Sequence, residues 1–453
     1  MKEKTLEFLN FILVIMLLIV MFVSSLLLTF SRSFTLKDYS FCLIIIGIIG
    51  LITYIVGKIK NFKFTKFEIV IFILMAFSIL SLFTAININD ALFGKVNRRE
   101  GLFVVLTYYI LALNCMSIKN RKYIKIIFIS ICLYAFMNIL YGLFHARILE
   151  TTFFPVKKTW RNYAAGFLGN SMYFGTLMSI FYGLSIGLFM KISGIKKKIV
   201  SYILVLISSL GLIISGAMSA FVAAIFINLV MLYHIVTEFI KKEKDWFYHL
   251  LLLTFCFLSF VLILLIICHK NTYLKNDIYE LIGETKLIVT GTVKEDYGTG
   301  RIHIWKNTID KIIERGGIGV GVDNYYNAFD GKLIDIKTNL RVDKAHNDYL
   351  QKILCEGIIS GIVFVIFLCV IFFKCLSKNL SSIYYGLYLA FTSYSVQAFF
   401  NISVTRVAPI YFIIIGLLLG INNEKYDFKV ELSKRKNKKN NYQKKKKINK
   451  MTE

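Results

Sequence analysis

An all-α, polytopic membrane protein is predicted by three observations. Hydrophobic residues make up 57% of the 453-residue chain and charged residues only 18%. Twelve apolar stretches approach the length that crosses a bilayer. None of them shows the period-two alternation of a membrane strand. A soluble chain carries about 25% charged residues and roughly 5% proline, and this one has two prolines. Soluble globular enzymes, disordered chains and disulfide scaffolds are thereby excluded.

A spanning helix needs about 20 mostly apolar residues. The stretches are 7–30, 39–57, 67–86, 101–117, 123–145, 172–190, 198–215, 217–239, 247–268, 348–373, 382–400 and 406–422. The first has no small-residue cleavage site behind it and reads as a retained signal-anchor. Segment 101–117 is short, and the two stretches beside Ser215 almost merge. Four basic loops then set the orientation. They carry Lys58, Lys60, Lys63 and Lys66; Lys119, Arg121, Lys122 and Lys125; Lys191, Lys196, Lys197 and Lys198; and Lys241, Lys242 and Lys244. With twelve spans, Lys2, Lys4 and the C-terminus share that side, which reads as cytoplasmic.

Four parts follow: membrane domain 1–268, a large extracytoplasmic loop 269–347 carrying short helices, membrane domain 348–422, and a basic, disordered cytoplasmic tail 423–453. Acidic and basic residues nearly cancel in the loop, so the net charge of +27 is mostly an inner-side property. It suits anionic lipid rather than nucleic acid. The eight cysteines sit mostly inside spans with no CxxC spacing, so neither disulfides nor a zinc ribbon is expected.

Polar residues on the outer side fall in four places: Gly94 to Gly101 with Arg98, Arg99 and Glu100; Lys157 to Asn170 with Arg161; Gly300 to Trp305 with Arg301 and His303; and Lys344 to Leu350 with His346. Arginines there run against the positive-inside trend and ask for an anion, since a guanidinium fork binds phosphate in a bidentate way. Contact with lipid phosphate is the bland alternative. Ile302, Trp305, Ile309 and Ile312 recur at helical spacing, predicting an amphipathic surface helix over 301–315. Trp305 serves there as a packing anchor or a sugar platform. The run Gly316-Gly317-Ile318-Gly319-Val320-Gly321 lacks the strand–turn–helix setting of a nucleotide site and reads as a turn ending that helix. His346 precedes a helix start where Asp348 and Gln351 have capping-box spacing. The positive end of that helix favours a neutral imidazole, suited to general base work or, more plainly, an exposed loop histidine. Gly357 and Gly361 form a GxxxG packing pattern. Glu356 is the main ionisable exception within a span. No metal-ligand spacing is seen.

The ordered set Gly300-Arg301…Trp305, Gly317-x-Gly319-x-Gly321, His346-Asn347-x-Tyr349-Leu350 and Glu356-Gly357…Gly361 resembles the O-antigen ligase and polymerase family. Arg98-Arg99-Glu100-Gly101, Arg161…Gly166-Phe167…Asn170 and Gln397-Ala398-Phe399-Phe400-Asn401-Ile402 extend the likeness over residues 90 to 420. It implies transfer of a glycan from undecaprenyl diphosphate to an acceptor hydroxyl, without metal or cofactor, on the outer face of the cytoplasmic membrane. The donor is a polyprenyl-diphosphate-linked glycan, and the acceptor a glycan, lipid or protein. Carried over by motif, Arg161 and Arg301 bind the diphosphate and His346 activates or orients the acceptor. Arg98, Arg99, Asn170, Trp305, Asn347 and Glu356 complete the substrate site. The chain departs from the family pattern at Met218, where a Ser-Arg pair is usual, and at Asn170-Ser171-Met172, where Asn-Pro-Asn is usual.

Ligase and polymerase differ only in the acceptor. A polysaccharide or lipid flippase is the alternative from another class, and scarce midplane charges and the lack of visible repeats weigh against it. A non-catalytic sensor or assembly factor is the third reading, opposed by the outer clustering of Arg, His and Trp.

Overall fold

A computed structural model describes residues 3–31, 33–59, 63–150, 159–243 and 245–421. Lys2, Lys60, Lys157, Lys158, Lys244 and the tail 423–453 lie outside the described residues. The chain forms helices α1 (Glu3–Phe30), α2 (Leu36–Lys58), α3 (Lys66–Leu80), α4 (Ile88–Phe93), α5 (Leu102–Cys115), α6 (Arg121–His145), α7 (Ser171–Lys191), α8 (Ile195–Ile214) and α9 (Met218–Ile240). It continues with α10 (Trp246–Lys270), α11 (Thr272–Val289), α12 (Arg301–Glu314), α13 (Tyr325–Ala328), α14 (Asp348–Glu356), α15 (Ile358–Leu376), α16 (Ser382–Ala398) and α17 (Ala408–Gly420). Among the described residues there is no strand, only an antiparallel bridge between Ile334 and Arg341.

Nine helices among the described residues are long and apolar enough to cross a membrane: α1, α2, α3 with the turn that extends it to Thr84, α6, α7, α8, α9, α10 and α15. Each expected apolar stretch holds a helix. However, α5, α16 and α17 have 14, 17 and 13 residues, short of the roughly 20 that a full crossing takes.

The stretch 348–373, read as one continuous span, is two helices. Gly357 stands between them at φ +95°, ψ +157°, a region open essentially only to glycine. The break follows from the glycine run 317–321, which lies against the end of α14. Val320 and Gly321 N–H groups donate to the Leu354 and Cys355 carbonyls at 3.1 and 2.9 Å, and Ile358 N–H donates to Gly317 O at 3.0 Å. The run thus satisfies carbonyls at one helix end that a continuous helix would have used internally. A Cβ on Gly319 would sit 2.6 Å from the Cys355 carbonyl oxygen, which is why glycine stands there.

The center of the molecule is α7, buried along most of its length and packed on α16. Gly187 and Gly386 bring their backbones together where a side chain would not fit. By contrast, α10 buries only Leu253 and Cys256. A second, smaller core gathers Ile304, Ile312, Val320, Tyr325, Leu333 and Leu354. The amphipathic helix is therefore rotated from its expected face: α12 buries Ile304, Thr308 and Ile312, whereas Ile309 is 45% exposed.

The polar loops converge. Asn324 joins the start of α4 through Asn87 N–H at 2.8 Å. Arg98 reaches Asp343, Glu100 reaches Lys344 and Ser403, and Arg406 reaches Phe167. The connections before α5, α7, α14 and α17 thus meet at one end of the bundle.

Candidate active site

The site is built around the start of α14. Asn347 caps this helix, its side-chain oxygen accepting the N–H groups of Tyr349 and Leu350 at 3.0 Å each. Asp348, expected to cap, instead accepts the Ser403 N–H at 2.6 Å. Gln351 turns back to accept the Ala345 N–H at 2.9 Å. The cap falls one residue earlier because Asn347 has the extended backbone that a capping residue needs. Tyr349 donates its hydroxyl to Ser395 O at 2.6 Å, tying α14 to α16. Lys352 bonds Glu356 at 2.6 and 2.7 Å and the Tyr109 hydroxyl at 2.9 Å. Glu356 also accepts from Ser78 at 2.6 Å. Asn347, through its side-chain oxygen, and Glu356, through its carboxylate, both expected to contact substrate, also hold α14.

Just before the cap lies a buried ionic triad that sequence reasoning missed. Lys344 Nζ stands 3.0 Å from both Glu100 and Asp323. Burial alone would lower the affinity of this amine for its proton, but the two carboxylates raise it well above the ordinary lysine value. Ser403 and Tyr108 donate to the other Glu100 oxygen. The only sequence signal was three charged residues in predicted loops, with nothing to say they were neighbors.

His346 therefore sits between anchored residues, at φ +50°. Histidine is enriched in this left-handed region, but the conformation is uncommon. Its ring is half-buried and makes no hydrogen bond among the described residues. Burial first, then the charges of Arg301 and Arg98, push its pKa down to about 4, against the smaller pull of Asp343 and Asp335. Neutral imidazole is the resting form at pH 7.

Arg301 and Arg98 are the two expected arginines that act on His346. Arg98 is delivered by a tight loop whose ends touch: a Cβ on Gly94, at φ +79°, would lie 2.2 Å from Glu100 N, and one on Gly101 would lie 2.3 Å from Gly94 N. Its Nε and Nη2 grip the two oxygens of Asp343 at 2.8 Å, and Nη1 bonds the Tyr173 hydroxyl. Despite burial, Arg98 holds the Asp343 carboxyl below its usual range. Arg301 opens α12, and its Nη1 donates to Gly298 O at 2.8 Å and to Thr299 Oγ1 at 2.5 Å. Its Nε is buried and has no partner. Burial lowers its pKa to about 10 although Asp335 and Glu284 face it.

The other expected residues are more dispersed. Arg161, at φ +54°, pairs with Asp277 on α11, and Tyr163 donates to the same carboxylate at 2.5 Å. Arg161 is absent from the charges that act most on His346. Glu284, near Arg301, lies seven residues beyond Asp277, or about 10 Å along the helix. Arg99, at φ +53°, donates its backbone N–H to Lys95 O at 2.7 Å, and its side chain makes no hydrogen bond or ion pair among the described residues. Asn170 caps α7 by accepting the Met172 N–H at 2.8 Å. Trp305 packs its ring against Phe399 and Phe400, with Nε1 buried and unpartnered.

Residues 203–365 match the family model described as O-Antigen ligase. This stretch is similar to the O-antigen ligase family. The matched O-antigen ligase region runs from within α8 into α15 and contains Arg301, Trp305, His346, Asn347 and Glu356. Arg98, Arg99, Arg161 and Asn170 precede it. No curated protein gives a significant match to the chain. Together with the nine apolar helices among the described residues, this likeness supports a multi-pass membrane protein, and the matched family is one of ligase- and polymerase-type glycosyltransfer.

Proposed function

We propose that the protein transfers a glycan from a polyprenyl-diphosphate carrier to an acceptor hydroxyl at the outer face of the cytoplasmic membrane, without a metal ion. One observation carries this reading: His346 is held neutral by burial and by the fields of Arg301 and Arg98, and its ring makes no hydrogen bond among the described residues. That combination suits a base beside an anionic leaving group.

In this reaction His346 accepts the acceptor's hydroxyl proton while the acceptor oxygen attacks the anomeric carbon. The bond from that carbon to the diphosphate oxygen breaks, and its electron pair leaves with the polyprenyl diphosphate. Arg301, with its unpartnered Nε, stabilizes the negative charge that grows on the leaving group, an effect larger in the transition state than in the ground state. Arg98 adds to the positive field from its place on Asp343. Arg161 serves the same anion by exchanging Asp277 for phosphate. Bound diphosphate would also offset the arginine charges and raise the basicity of His346 once donor is present.

The basic ends of the helices, with Lys58, Lys119, Lys191 and Lys241, face the cytoplasm in this reading, and His346 faces outward. Ligase and polymerase forms share these steps and differ in the acceptor. Incubating purified protein with a polyprenyl-diphosphate glycan and candidate acceptors tests the reading by product mass. A glycosylated acceptor plus free carrier is expected. An unchanged donor with every acceptor would sink it.

A further inference from the structure

The loop joining α16 to α17 carries an arginine that the proposed reaction does not use. Arg406 is half-buried, and its guanidinium carbon lies 5.9 Å from the center of the Tyr173 ring. Arg98 lies 6.0 Å from the center of the same ring. Two arginines therefore flank one tyrosine near the start of α7.

The two differ in what they bind. Arg98 spends three of its donors on Asp343 and the Tyr173 hydroxyl and keeps the others. Arg406 makes one hydrogen bond, from Nη1 to Phe167 O at 3.4 Å. That carbonyl already receives the Thr29 hydroxyl at 3.3 Å. No carboxylate pairs with Arg406 among the described residues. A guanidinium has five N–H donors, and a shielded cation without an anion is unfavorable.

The backbone around it is fixed instead. Tyr39 donates to Thr405 O at 2.9 Å and Tyr134 to Arg406 O at 3.4 Å. Three residues earlier, Ser403 bonds both Asp348 and Glu100 at 2.6 Å, tying this loop to the His346 segment. The main chain is clamped while the side chain keeps most of its donors unspent.

We infer that Arg406, beside Tyr173, is a substrate-binding residue that takes a phosphate-type anion, completing a two-arginine clasp with Arg98. The ligand's identity as the donor diphosphate rests on the reading above; the anion chemistry does not. Planar, paired donors suit phosphate oxygens better than a single point charge does.

The test titrates the full-length protein in detergent with undecaprenyl diphosphate, with phosphatidylglycerol and with phosphate-free undecaprenol, and separately measures transfer. Arg406→Gln should weaken binding of undecaprenyl diphosphate by about tenfold or more, the size of a lost charge-assisted bond. Undecaprenol binding should be unchanged, and donor KM should rise more than kcat falls. Arg406→Lys should fall between. A loss confined to phosphatidylglycerol would keep the anion site and assign it to a bilayer headgroup. If wild type performs no transfer but its diphosphate binding is lost in Arg406→Gln, the reaction falls and the anion site stands. Unchanged diphosphate and phosphatidylglycerol binding in a folded Arg406→Gln, or no anion binding by wild type, overturns the inference. Should Arg406→Gln not fold, wild-type affinities for both anions in Arg406→Lys overturn it.

Discussion

Lys344 Nζ lies 3.0 Å from Glu100 Oε2, with 4% and 5% of the two side chains exposed. The same amine holds Asp323 at 3.0 Å, so one cation neutralizes two carboxylates brought from separate loops. Removing one partner of a buried ionic group leaves charge without compensation and costs about 3–5 kcal/mol. Lys344→Met should therefore lower the thermal unfolding midpoint in detergent strongly. Because His346 is two residues away, transfer should fall even below that midpoint. Adding Glu100→Gln to Lys344→Met should recover part of the stability.

Asn347→Ala should cost about 1 kcal/mol, the usual value of a helix cap. The side chain satisfies two backbone N–H groups of α14 and adjoins His346. A drop in kcat with little change in donor KM is expected. Asn347→Asp, which keeps the accepting oxygen, should restore most of both stability and rate.

Much of this arrangement was legible in the sequence, but unevenly. Helix positions followed from apolar runs, because burial in lipid and burial in protein both demand them. The run across 348–373 misled because hydropathy registers composition and not the conformation of Gly357, which contact with Gly319 imposes from a distant segment. Arg301 and His346 stood out by motif, and their mutual influence needed the fold. Asp343, Asp277 and the Lys344 triad were invisible because a carboxylate in a loop carries no mark of its partner. Arg406 was hidden at the edge of an apolar stretch, where one charge reads as an interfacial anchor.

The pH dependence follows from His346. Its pKa falls from an ordinary 6.5 to about 4, through burial and then the fields of Arg301 and Arg98. The free enzyme keeps a neutral base down to that pH, so kcat/KM for transfer should bend on the acid side near pH 4 rather than 6.5. Stability moves in the same direction. Between the two values the unfolded chain binds the extra proton, so this histidine's contribution is present above 6.5 and lost as pH falls toward 4. His346→Ala should remove that share of the pH dependence of unfolding and abolish transfer, with protein level unchanged.

Gly357→Ala should be destabilizing by about 1–3 kcal/mol, because its backbone conformation is closed to side chains. Chemical denaturation would measure this. The damage should spread to transfer, since α14 would straighten away from the glycine run that caps it. Gly361→Ala tests sterics instead: a Cβ there would lie 2.2 Å from Ile353 Cγ1, so trimming Ile353 to Ala, which removes that atom, should relieve it, with no such rescue at Gly357.

Arg301 links the electrostatics to the rate. Its Nε is buried without a partner, its Nη1 is held by Gly298 and Thr299, and its charge helps keep His346 neutral. Arg301→Gln removes a donor aimed at developing charge, a loss of about 10²- to 10³-fold in kcat where such groups have been deleted. The same substitution removes a positive field from His346, so the acid-side bend in the residual activity should move upward from pH 4 toward 6.5. Arg301→Lys keeps the charge and loses the planar fork, so its rate should fall while the bend stays near the wild-type position. Steady-state kinetics from pH 4 to 8 on the three proteins separates the roles. A rate loss in Arg301→Gln with no movement of the bend would mean that the arginine does not act on the histidine.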